Sequence, residues 1–130
     1  MAATTVKAML AEAAAAVPRL APAEGAAAVG EGNALVLDVR DPAEVAKEGK
    51  IEGALNVPRG MLEFRADPES PYHDPALARD RPVLVYCASG GRSALAGKTL
   101  KDMGFADVRN IGGFKELAEA GAPVEPPAGG

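Results

Sequence analysis

Apolar positions along the chain follow two rhythms. From Val6 onward, Val6, Met9, Leu10, Ala13 and Val17 recur at spacings of three and four, one face of a helix. Thr4 or Thr5 can cap this helix and Pro18 ends it. Arg19 to Ala21 reads as a very short strand, and Pro22 as the first turn of a second helix over Ala23–Val29, stopped by Gly30 and Gly32. The rhythm then changes. Ala34 to Val39 is an apolar, β-branched run of strand length, the pattern of a strand buried on both faces. Asp41-Pro42 opens a short helix to about Lys47, and Ala54 to Val57 forms a second buried strand ended by Pro58. Residues 58–65 read as a short helix carrying Met61, Leu62 and Phe64.

Asp67 to Pro82 is rich in proline and charge, a long excursion with one helical turn near Pro75–Ala78. Pro82 to Tyr86 is the central-strand candidate, and Cys87 to Gly91 a glycine-rich turn. Arg92 to Met103 forms a helix packing through Ala94, Leu95, Leu100 and Met103, ended by Gly104. Val108 to Ile111 is a last strand, Phe114 to Ala120 a last helix, and the Pro/Gly-rich stretch 123–130 a disordered tail. Strands alternate with helices throughout. This predicts an α/β fold: a central parallel sheet of about five strands, right-handed crossovers and helices on both faces. The expected organisation is an N-terminal helix over 1–18 and one domain over 19–122, with no internal repeat.

Composition narrows the possibilities. At 130 residues, 48% hydrophobic and 25% charged, the chain fits one domain with a core that needs no disulfide or structural metal. A net charge of −4 argues against nucleic acid, which needs a concentrated positive face, but leaves room for a small anion governed by local charge. No apolar run approaches the roughly 20 residues of a membrane span. The Ala-rich residues 8–17 hold Glu12 and follow Lys7, unlike a signal peptide, so a cytoplasmic protein is expected. One cysteine and one histidine, His73, exclude an intramolecular disulfide and argue against zinc; no cofactor is expected. Histidine-assisted nucleophilic catalysis would require His73 to meet the nucleophile in space.

Open α/β sheets place ligands beyond the carboxyl ends of their strands, where Cys87 stands. A helix follows within a few residues. The intervening Ala88, Ser89, Gly90 and Gly91 let the backbone fold tightly, so that successive N–H groups converge as an anion-binding nest. The helix N-terminus adds positive potential, Arg92 adds a permanent charge, and a sulfur held there is favoured as thiolate. A lone cytosolic cysteine is usually a small buried hydrophobe. Such a cysteine has no need of a Ser-Gly-Gly turn, a helix start and an arginine directly after it.

Four segments carry a family resemblance. Leu37-Asp38-Val39-Arg40-Asp41-Pro42 with Glu44, then Gly49, Ile51 and Gly53-Ala54-Leu55-Asn56-Val57-Pro58, resemble the N-terminal signature of rhodanese domains. Val85-Tyr86-Cys87 with Gly90, Arg92 and Ser93 resembles their active-site loop, and Asn110-Ile111-Gly112-Gly113-Phe114 their final strand and turn. Together they span about residues 19–120 in order. The resemblance implies a single-domain thiosulfate sulfurtransferase without a cofactor. Its Cys87 thiolate takes a sulfane sulfur from a donor such as thiosulfate and passes it, as persulfide, to cyanide, a thiol or a sulfur-accepting protein. It also implies a distinction by loop length: Cys87 to Arg92 is Cys-x4-Arg, whereas related phosphatase-like domains have Cys-x5-Arg and a wider cradle. Val45 replaces a frequent aromatic residue, Lys50 a frequent histidine, and the chain has no tryptophan. These departures lie away from the loop.

Other residues admit two roles each. Asp38 and Arg40 either support the loop and its anion or form an ion pair bracing a strand end. Arg59 either attracts an anionic donor or is a solvated charge; Arg65 is similar. Ser89 and Ser93 either donate hydrogen bonds near the sulfur or cap the helix. Tyr86 packs in the core, and His73 sits on the surface or braces its loop. A rhodanese-fold binding or carrier module without turnover is the competing class; a phosphatase or arsenate reductase is disfavoured by loop length.

Overall fold

The computed structural model describes residues 3–127. Helix α1 spans Val6–Ala16, and its N-cap is Thr5, whose Oγ1 accepts the Ala8 N–H at 3.1 Å. The expected apolar face is only half used. Ala13 and Val17 are buried, whereas Val6 and Met9 are 63% and 41% exposed, because α1 lies across a single neighbour rather than in a groove. Helix α2 spans Pro22–Glu31, running through Gly30 to its cap at Gly32.

The central sheet has four parallel strands in the order β3-β1-β4-β5: Leu35–Asp38 (β1), Leu55–Asn56 (β3), Val83–Cys87 (β4) and Val108–Gly113 (β5). A single parallel bridge between Arg19 and Asn110 extends it beyond β5, where the shortest strand was expected. The ladder stops there because Pro18 has no N–H to donate. Helices α3 (Pro42–Glu48), α4 (Leu62–Ala66, after a 3-10 turn over Arg59–Met61), α5 (Gly91–Asp102) and α6 (Phe114–Glu119) complete the alternation.

Strand alternation sorts the core into two layers. Leu35, Leu37, Val83, Val85 and Cys87 point to one face, toward Val17, Leu62, Ala96 and Leu100. Val36, Leu84 and Tyr86 point to the other, toward Ile51, Ile111, Phe114 and Leu117. Cys87 is therefore the last residue of β4 rather than the first of a loop, and its sulfur lies on the α5 side.

Two expectations fail. The tail expected to be disordered pairs with the domain: Val124–Glu125 (β6) runs antiparallel to Lys50–Ile51 (β2), and Glu125 bonds Lys50 Nζ at 3.2 Å and the Gly53 N–H at 2.8 Å. Those bonds outweigh the local Pro/Gly composition; residues 128–130 lie outside the described residues. The excursion 67–82 contains no helix, only successive turns, with Asp67, Ser70 and Asp74 side chains accepting backbone N–H groups two residues on. No helix among the described residues is long and apolar enough to cross a membrane.

Candidate active site

The site forms where β4 ends, α5 begins and β5 bulges. Cys87 is 1% exposed, with its sulfur facing the turn that follows. Gly90 makes that turn possible. Its φ of +101° is left-handed, and a Cβ there would run into the Arg19 guanidinium. The turn aims the Gly90 N–H at Cys87 Sγ, 3.0 Å away, and Gly90 rather than a serine becomes the N-cap of α5. Ser93, one helical turn on, brings its Oγ to 3.5 Å from the sulfur.

Burial opposes ionisation of Cys87. Hydrogen bonds from the Ser93 hydroxyl and from the backbone N–H groups of Ser93, Ser89 and Gly90 outweigh it, and the thiol sits below its ordinary range. No histidine takes part: His73 Nδ1 lies 3.0 Å from the Arg65 carbonyl in the excursion, a loop brace. Ala88 and Gly91 supply backbone to the turn. The Ser89 side chain makes no hydrogen bond among the described residues, so Ser93, not Ser89, reaches the sulfur.

Asn110 ties the turn to the sheet. Its Oδ1 accepts from Ser93 Oγ at 2.8 Å and from the Gly112 N–H at 3.0 Å, and its Nδ2 donates to the Gly90 carbonyl at 3.2 Å. The register of β4 against β5 shifts between Val85 and Tyr86, so that Val85 faces Asn110 but Tyr86 faces Gly112. This bulge at Ile111 bends the strand beside the turn. Asn110 was not singled out from the sequence as a site residue. The available signal was a buried asparagine in an apolar strand, a position that strands disfavour unless its amide is fully bonded.

Arg92 does not point its charge only at the sulfur. Its guanidinium grips Glu44 with two bonds, Nη1–Oε1 at 2.6 Å and Nη2–Oε2 at 3.0 Å. Arg92 holds the Glu44 carboxyl at about 2, against the opposing effect of partial burial, with help from the Asp41 N–H. Glu44 in turn raises the Arg92 pKa. Glu44 reaches this position because α3 starts at Asp41-Pro42 and places it one turn in.

The two roles open for Asp38 and Arg40 resolve in favour of the ion pair. Arg40 is 1% exposed; its Nη2 donates to Asp38 Oδ2 and to the Gly49 carbonyl, both at 2.7 Å. Its guanidinium lies 4.3 Å from the Phe114 ring centroid, which satisfies a desolvated cation from its face. Burial works against the Arg40 charge, but Asp38 outweighs it and holds the pKa above its ordinary value. Tyr86 is in the core, as expected, yet its hydroxyl is also used: it donates to Asp38 Oδ2 at 2.8 Å and accepts the Ile51 N–H at 2.9 Å. Burial, followed by the Asp38 charge, pushes its pKa well up.

Arg59 is not brought to the turn. Its guanidinium bonds Glu63 at 2.9 Å and Thr99 at 3.0 Å, the latter about two helical turns along α5 from Arg92. Among the described residues no group of three His, Cys, Asp or Glu side chains is arranged to hold a metal ion.

This arrangement is a cradle of N–H donors around the Cys87 sulfur, able to favour its ionised form and to stabilise negative charge delivered onto it. Comparison with known proteins gives it a context. The family model of the rhodanese-like domain matches residues 21–120. A protein of Allochromatium vinosum named sulfurtransferase is 35% identical over 96 residues, covering 73% of this chain and 81% of that one. A thiosulfate sulfurtransferase of Pseudomonas fluorescens is 34% identical over 105 residues, covering 80% and 87%. Among solved structures, a Rhodopseudomonas palustris protein, described as of unknown function and a possible tyrosine phosphatase, superposes with a TM-score of 0.88. It is 43% identical, covering 96% of this chain and 97% of that one.

Proposed function

Since the chain belongs to the rhodanese-like domain family and has sulfurtransferases among its relatives, we propose that it moves a sulfane sulfur through a persulfide on Cys87, with thiosulfate as donor. The observation that carries this reading is the Gly90 N–H at 3.0 Å from Cys87 Sγ, in a turn whose N–H groups hold the thiol below its ordinary range.

The Cys87 thiolate attacks the outer sulfur of thiosulfate. The S–S bond of the donor breaks, sulfite leaves with the electron pair, and Cys87 becomes a persulfide anion. In the second step an acceptor, cyanide or a thiolate, attacks the outer sulfur. The Cys87 S–S bond then breaks and its electron pair restores the thiolate. Neither step needs an external oxidant, a metal or a general base. The backbone donors that favour the thiolate also serve the persulfide, which carries the same charge.

The Rhodopseudomonas palustris relative, described as a possible tyrosine phosphatase, raises phosphate chemistry as the competing case. Two features of this chain favour sulfur: only four residues separate Cys87 from Arg92, and Arg92 is already gripped by Glu44. Incubation with thiosulfate is expected to add the mass of one sulfur atom to the intact protein, and Cys87→Ser to abolish the addition. An unmodified wild-type protein in that mass spectrum points instead to a binding or carrier module. Release of phosphate from an aryl phosphate, lost in Cys87→Ser, points to the phosphatase.

A further inference from the structure

Asn110 makes no bond to the sulfur, yet it holds two of the groups that do. It is 3% exposed and stands in β5 directly before the bulge. Its Nδ2 donates to the carbonyl of Gly90, the residue whose N–H lies 3.0 Å from Cys87 Sγ, and its Oδ1 accepts from the Ser93 hydroxyl. The amide cannot be turned over. The Gly112 N–H can only donate and the Gly90 carbonyl can only accept, so Oδ1 must face Gly112 and Ser93.

Ser93 is fully buried, and its hydroxyl has one proton for two acceptors: Asn110 Oδ1 at 2.8 Å and Cys87 Sγ at 3.5 Å. The shorter bond gives the proton to Asn110 while the sulfur is uncharged. A thiolate is the stronger acceptor and draws it over by rotation of the hydroxyl. An undivided hydrogen bond would make the thiolate easier to form but less nucleophilic. We infer that Asn110 is a positioning residue for the sulfur chemistry: its fixed amide oxygen competes with Cys87 for the Ser93 proton, yielding it as negative charge builds on the sulfur and taking it back when that charge leaves.

The inference deepens the persulfide reading and rests on it for the loaded protein. When an acceptor attacks the outer sulfur, the S–S bond breaks and its electron pair returns to Cys87 Sγ. The Ser93 hydroxyl follows that charge as a hydrogen bond and keeps its proton throughout. The charged groups around the turn are Arg92 on α5, Arg19 against Gly90 and Glu116 of α6 beside Gly113. Asp38, Arg40 and Tyr86 form their own cluster, with Tyr86 on the opposite face of the sheet from the sulfur. All of these are common to the variants below.

A cycle of variants on the full chain tests it: wild type, Asn110→Ala, Ser93→Ala and the double variant. The thiolate titration of Cys87, followed by ultraviolet absorbance, requires no sulfur transfer. Asn110→Ala is expected to lower its midpoint by about 0.5–1 in pH when Ser93 is present, and to leave it unmoved when residue 93 is alanine. A brace that merely steadies the turn gives the opposite sign, a midpoint raised equally in both backgrounds, and that result overturns the inference while leaving the sulfurtransferase reading intact. If Asn110→Ala does not fold, the same cycle is run with Asn110→Asp, which keeps both acceptor bonds. Its carboxylate should raise the midpoint more with Ser93 than with alanine at 93; equal shifts overturn the inference. Release of sulfur from loaded protein to cyanide should quicken about two- to fivefold in Asn110→Ala only where Ser93 is present, and an unchanged rate refutes the role in the loaded protein. If wild-type protein takes no sulfur from thiosulfate but the titrations still depend on Ser93 as stated, Asn110 stands as the residue that sets the Ser93 proton and the sulfurtransferase reading fails.

Discussion

Arg92 closes on Glu44 with both of its terminal nitrogens, at 2.6 and 3.0 Å, and so links the first turn of α5 to the first turn of α3. The charge that follows the cysteine turn in sequence is therefore a clamp between two helices as well as part of the field around the sulfur.

The clamp carries a pH signature. The Glu44 carboxyl lies at about 2 in the fold, below its ordinary 4.5, so its contribution to stability is complete above about pH 4.5 and is lost as the pH falls through about 2. Both side chains retain solvent contact, which screens the pair, and Glu44→Gln is expected to cost about 1 kcal/mol at neutral pH. Denaturant midpoints should show the wild-type advantage narrowing across that acid window. A gap that is constant with pH refutes the clamp.

Ser93 is expected to set how readily Cys87 ionises. Its hydroxyl carries one proton and faces two acceptors, Cys87 Sγ at 3.5 Å and Asn110 Oδ1 at 2.8 Å. Once the sulfur becomes a thiolate it competes better for that proton. Ser93→Ala should move the thiolate titration, followed by ultraviolet absorbance, to higher pH. Alkylation near neutral pH should slow about three- to tenfold, the worth of one hydrogen bond of about 1 kcal/mol. Rates of the two proteins should converge where both are fully ionised; superimposable titrations would remove Ser93 from the mechanism.

The Asp38–Arg40 pair is expected to matter for stability and not for sulfur chemistry. Asp38→Asn leaves a guanidinium that is 1% exposed without its counter-charge, at a cost of about 3 kcal/mol. Adding Arg40→Met removes the stranded charge and should recover much of that loss in a denaturant titration. Sulfur loading per folded molecule should stay near wild type in the double variant. A loss of loading there would return Arg40 to the site.

Much of the fold was legible because it follows from local rules. Ala34 to Val39 and Pro82 to Tyr86 are mostly apolar without alternation, the pattern of a strand covered on both faces, and both form central strands. Asp41-Pro42 and Gly104 begin and end helices through fixed dihedrals and missing donors. Where pairing with a distant segment decided the outcome, composition misled. Val124–Glu125 is ordered by Lys50–Ile51, more than 70 residues earlier, and nothing in a Pro/Gly-rich stretch announces such a partner.

The sequence by itself determined where the one cysteine stands: Cys87 follows a buried strand and precedes two glycines, an arginine and a helix, so its sulfur meets a turn of backbone donors. It could not determine which arginines remained available, because pairing is decided by distance in space. Glu44, Asp38 and Glu63 each come within bonding reach of an arginine only after the strands and helices have packed, and the register shift of β5 sets Asn110 and the Arg19 bridge beside Gly90. The tertiary structure thus decided which of these arginines are paired: Arg40, Arg59 and Arg92 each hold a carboxylate, and among the described residues Arg19 makes no ion pair.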